Sequence, residues 1–149
     1  MLNMNPNRKL PGKQTGFMLL EGLIAILIFS MGILAIVGLQ GASIKASSDA
    51  KYRASASLLA NELIGEMWVS NRAPAAMQTN FQGGSGTDGA NYTAWLARVE
   101  ATLPGVAANV PTVTVNTTNS LVTINLYWKL PNEPQLSAPH HYIAIAQII

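Results

Sequence analysis

The chain changes character abruptly at Phe17. Polar and basic positions come before it, and residues 17–39 then read FMLLEGLIAILIFSMGILAIVGL, 23 positions in which Glu21 is the only ionisable side chain. At 1.5 Å per residue this segment makes a helix of roughly 35 Å, long enough to cross the hydrocarbon core of a bilayer. Gly22, Ser30, Gly32 and Gly38 interrupt its apolar surface. On a membrane helix such small residues let neighbouring helices approach closely.

Beyond the apolar run the pattern turns amphipathic. Residues 42–71 contain no proline, and Tyr52, Ala56, Leu59, Leu63 and Met67 recur at helical spacing. Asp49, Arg53, Asn61 and Glu62 mark a solvated side, so the spacing predicts a helix that lays one apolar stripe on a folded domain. Asn71, Arg72 and Pro74 predict its end. The glycine-rich stretch 82–91, QGGSGTDGAN, predicts a mobile loop. A short helix is expected over 92–103 with Trp95, Leu96, Val99 and Leu103 inward, stopped by Pro104 and Gly105. Three strands follow, at 112–116, 121–129 and 141–149. In the second, Val122, Ile124, Leu126 and Trp128 alternate with Thr123, Asn125, Tyr127 and Lys129, which predicts one buried face, and 117–120 suits a hairpin turn. In the third, Ile143, Ile145 and Ile149 share a face. The expected class is α+β, a long N-terminal helix packed on a small antiparallel sheet.

Composition sharpens this picture. With 149 residues the chain has room for one domain and an anchor, and its charged fraction of 11% is less than half the usual value of about 25%. Arg8, Lys9 and Lys13 precede the apolar run with no acid among them, while the remainder carries six basic and seven acidic side chains. The basic cluster fits retention on the cytoplasmic side. A near-neutral remainder speaks against a nucleic-acid partner, which would need a basic patch. No cysteine is present, so neither a disulfide framework nor a thiolate site is available.

The start of the apolar run carries the candidate chemistry. A secretory signal places its small-residue cleavage site after the apolar core; here the small residue, Gly16, comes before it. Cleavage between Gly16 and Phe17 would leave the helix in the mature chain with a free amine at its head. Glu21, fifth from Phe17, costs on the order of 2.5 to 3.5 kcal/mol inside a bilayer unless a cation meets it. The apolar run holds no Lys or Arg, and an amine on Phe17 is one source of that charge.

On these residues the chain resembles the type IV pilin-like proteins. A basic leader ending in Gly16, then Phe17, then Glu21 opening an apolar helix is similar to the signature read by the prepilin peptidase. Residues 19–40, LLEGLIAILIFSMGILAIVGLQ, are most similar to the start of the minor pilin PilV family, the type IV pilus modification proteins. Gly22 stands where that family usually has Val, and Met18 where a small polar residue is usual. The resemblance implies a leader over 1–16, a transmembrane and assembly helix over 17–40, and a periplasmic pilin domain over 41–149. It also implies cleavage after Gly16, N-methylation of Phe17, and a salt bridge from Glu21 to a neighbouring subunit's amine. The implied partners are the prepilin peptidase, other minor and major pilins and the inner membrane. The implied role is pilus assembly in support of twitching motility and adhesion, with no cofactor. Many pilins carry a disulfide-closed loop near the C-terminus; this chain has none.

Other chemistry finds little footing. His140 and His141 are adjacent, so on a strand they face opposite ways and cannot hold one ion together. Glu62 and Glu66, four apart, read as a solvated helix face beside Arg53 and Arg72. No GxSxG elbow or Gly-Lys-Ser/Thr phosphate loop occurs. An enzyme is not expected. Two rivals stay open: a minor pseudopilin of a type II secretion system, which shares the leader, acid and fold, and a signal-anchored periplasmic enzyme or binding protein, which would need neither Gly16 nor Glu21.

Overall fold

The computed structural model describes residues 15–131, 133, 134 and 136–149, so all but the last two residues of the 1–16 leader lie outside the described part. Its elements are α1 (Thr15–Val69), α2 (Pro74–Phe81), α3 (Ala90–Thr102), a short 3-10 turn at Val106–Ala108, and strands β1 (Thr112–Asn116), β2 (Leu121–Trp128) and β3 (His140–Gln147). The class is α+β, as expected. The chain divides into two compact units, one ending at Ile44 and the other spanning Lys45–Ile149.

The second unit is built on one core. Ala56, Leu59, Ala60, Leu63 and Met67 of α1 are buried with Val122, Ile124, Leu126 and Trp128 of β2, while Tyr52 and Ile64 pack at the rim. The three strands are antiparallel in the order β1-β2-β3. β2 is the central strand, and its strict alternation lines one face of the core. The β1–β2 turn closes because Asn116 and Asn119 side-chain oxygens accept from the backbone N–H groups of Thr118 and Leu121, at 2.9 and 3.1 Å. α3 buries Tyr92, Trp95 and Val99. The Trp95 indole N–H donates to the Leu59 carbonyl at 2.9 Å, tying α3 to α1.

Several expectations change in detail. Pro74 ends nothing by itself: α1 stops at Val69, and Pro74 opens α2, where its fixed φ and missing N–H suit the first turn. α2 then buries Met77 and Phe81. The stretch read as a loose loop is partly a packed connection. Gly83 pairs with Val113 through two backbone hydrogen bonds, of 3.1 and 3.0 Å, and a Cβ there would overlap the Tyr92 ring. Gly84 has φ +84° and lies against the Pro111 carbonyl. These two glycines serve close approach. The last strand begins one residue earlier than expected and ends at Gln147. Ile143 and Ile145 point outward from it, and Ile148 just beyond its end is the buried isoleucine.

Asp49 also departs from expectation. It lies three residues before Tyr52, in register with the buried stripe, and is half-buried rather than on the solvated side.

Two outcomes follow from this packing. Because the core lies wholly within Lys45–Ile149, a chain starting at Ser43 should stay soluble and show one cooperative thermal transition by circular dichroism. The Tyr92 hydroxyl is buried and donates to the Pro111 carbonyl at 2.7 Å. Burial, aided by the charges of Asp88 and Glu100, pushes its pKa up to about 12. The fold therefore favours the protonated phenol, and that contribution is intact below pH about 10 and lost as pH rises through about 12. Tyr92→Phe should lower stability by about 1–3 kcal/mol in a urea titration at neutral pH, by leaving a buried carbonyl unpaired. It should also remove that part of the alkaline loss.

Candidate functional site

Leu, Ile, Met and Ala dominate residues 17–39, and α1 runs through all of them without a break. Its first half keeps this apolar surface bare: none of its most apolar window is buried. Phe17, Met18 and Leu19 are 69%, 74% and 71% exposed. By length and composition α1 is able to cross a membrane. The one hydroxyl in the run is already satisfied, since Ser30 donates to the Ile26 carbonyl at 2.7 Å within the helix, as a lipid environment requires.

Glu21 is the exception. It is exposed and enters no ion pair among the described residues. Phe17 lies one turn before it, a rise of about 6 Å along the axis. Gly16 is the second residue of α1, where glycine's weak helix preference makes the first turn easy to unwind. At Gly16, Gly22, Gly32 and Gly38 an added Cβ would meet nothing among the described residues. Packing among those residues thus gives no reason for glycine at these positions. Gly16, Phe17 and Glu21 therefore fall together on one exposed helix start, where a peptidase or a second helix could reach all three.

Several titratable groups of the second unit pair among themselves. Glu62 and Glu66 are held by Arg98 of α3, at 3.0 and 2.5 Å, instead of standing beside Arg53 and Arg72. His140 and His141 do face opposite ways. His141 is exposed near the Tyr127 ring, at 6.5 Å between centroids. His140 faces inward, with Nε2 2.9 Å from Glu133 Oε1 and Nδ1 3.2 Å from Asp49 Oδ1. The two ring nitrogens point apart, so the two carboxylates cannot meet the imidazole around one ion. Among the described residues no group suited to a metal is present. Asp49 is the residue that sequence reasoning misplaced. Its spacing of three from Tyr52 was the available signal, and its charge masked it.

Compared with known proteins, the chain matches no family model, no curated protein and no solved structure.

Proposed function

We propose that the chain is the precursor of a minor type IV pilin, cut after Gly16, methylated at Phe17 and anchored in the inner membrane with its 41–149 domain in the periplasm. Its work is assembly, not catalysis. The observation that carries this is a bare apolar helix holding a single carboxylate, Glu21, with no ion-pair partner among the described residues and one turn from a residue that cleavage would turn into an amine.

The physical case is one of complementarity. A carboxylate in hydrocarbon needs a cation close by, and the apolar run supplies none. The amine of a mature Phe17 satisfies it, most usefully between two helices, where one contact fixes the axial register of both. Small residues along the run then let the helices close on each other. A plain signal anchor needs neither the acid nor the glycine before Phe17. The α+β domain on the same long helix is the plan that the pilin resemblance implies. A pseudopilin would use the same parts, so experiment must separate the two.

Processing is the first test. Mass spectrometry of the membrane form, in cells with an active prepilin peptidase, should find residues 1–16 missing and one methyl added. Gly16→Leu should leave the full-length chain in the membrane. An intact leader in the unsubstituted protein would overturn the proposal.

Assembly is the second. Glu21→Ala should preserve processing, expression and the folded domain, while crosslinking to other pilins and recovery in sheared surface fibres fall by about tenfold or more, the scale expected for a lost charge contact in apolar surroundings. Glu21→Gln, nearly the same shape without the charge, should fail in the same way. Loss of the protein should reduce piliation or twitching with type II secretion unchanged. Normal pili with blocked secretion would assign the chain to the pseudopilins instead.

A further inference from the structure

A cluster of charged groups around His140 lies wholly within the Lys45–Ile149 unit. His140 opens β3, paired in register with Trp128 at the end of β2. Its ring stacks on the Trp128 indole, with centroids 5.7 Å apart and planes 13° from parallel. α1 contributes Asp49 and Lys45, and the β2–β3 connection contributes Glu133. Lys45 Nζ lies 3.9 Å from Glu133 Oε1. Lys129, in the same connection, donates to the Ser137 carbonyl at 3.2 Å.

Both ring nitrogens of His140 face carboxylate oxygens. A neutral imidazole has one N–H and one bare lone pair, and only the imidazolium presents a donor on each side. The Glu133 contact is a hydrogen bond. The Asp49 contact is an ion pair without hydrogen-bond alignment, and Asp49 Oδ1 is buried with no other partner. If Nε2 keeps its proton for Glu133, a neutral ring turns its Nδ1 lone pair on that buried oxygen. The contact then changes from attraction to repulsion. A cationic ring also gains from lying on the Trp128 face.

We propose that His140 is a proton-operated latch, an imidazolium that ties the start of β3 and the Glu133 connection to the Asp49 turn of α1 and loosens when it loses its proton. It does not depend on the pilin proposal. The cluster also has an acid limit. The hydrogen bond from His140 holds the Glu133 carboxyl below its usual range, against the opposing effect of burial, with the charges of His140 and Lys45 adding to the lowering. A depressed carboxylate contributes stability above its unfolded value of about 4.5 and loses it as pH falls through the depressed one. The Glu133 side of the latch thus weakens as the solution is made acidic.

The test is hydrogen–deuterium exchange by mass spectrometry on the full chain in detergent micelles, following the segments 45–52 and 133–142. After correction for intrinsic exchange rates, protection of these segments should fall about tenfold between pH about 5.5 and about 8. His140→Gln should be weakly protected at both values and show no such step, while His141→Gln keeps it. Asp49→Asn removes the repulsion on Nδ1 and can donate to it, so this variant should stay protected at the higher pH. It keeps the test valid should His140→Gln fold poorly. An unsubstituted chain with no step, or an Asp49→Asn chain with the same step, would overturn the latch.

Discussion

Twenty-three consecutive residues of apolar helix have to be taken out of water, and nothing in the described chain covers them. At about 25 cal/mol per Å² of apolar surface, large side chains left 46–74% exposed over that length are a cost no soluble monomer can sustain. A bilayer removes it. In lipid the driving force between helices is no longer hydrophobic, so any further association must come from close packing and from polar contacts. That is why one carboxylate and four small residues in an otherwise uniform segment carry so much of the functional account. The apolar segment satisfies its one hydroxyl within the helix, and Glu21 enters no ion pair among the described residues.

The second half of the same helix obeys the opposite constraint. From Lys45 onward it presents a stripe to a sheet, and the domain is fastened to that stripe at three kinds of contact. Apolar packing runs through Leu59, Leu63 and Met67. Indole and phenol donors anchor α3 and β3, as Trp95 does on the Leu59 carbonyl and Tyr142 on Ser57 Oγ at 3.3 Å. Charged groups close the periphery, with Arg98 between Glu62 and Glu66 at one place and His140 between Asp49 and Glu133 at another. Of these contacts, the His140 cluster is the one proposed to respond to mild pH change. The two halves of this continuous helix thus differ: the first has the length and apolar composition to cross a membrane, and the second packs its stripe on a sheet.

Most of this architecture was legible because local periodicity and tertiary burial agree. The alternation in β2 and the stripe from Ala56 to Met67 each encode their own buried face. Legibility failed where the deciding contact is distant in sequence. Asp49 reads as a surface acid until His140, ninety-one positions later, is brought beside it. Gly83 and Gly84 read as freedom, and their real constraint, the Tyr92 ring and the Pro111 carbonyl, is invisible locally. Pro74 was legible as a break but not as a beginning, because α2 is too short to show its own period. At the candidate site the limit is different. Gly16, Phe17 and Glu21 announce themselves by spacing alone, and among the described residues Glu21 has no ion-pair partner.

In the proposed assembly Glu21 meets the amine end of a neighbouring helix inside the membrane. A photo-crosslinking amino acid at Leu20, beside the acid, tests it in cells, with the adducts mapped by mass spectrometry. The account predicts adducts to the first few residues of a neighbouring mature pilin helix, lost when Glu21 is replaced by Gln or when that neighbour's leader is left uncut. Adducts to lipid alone, or a pattern unchanged by either alteration, would contradict it.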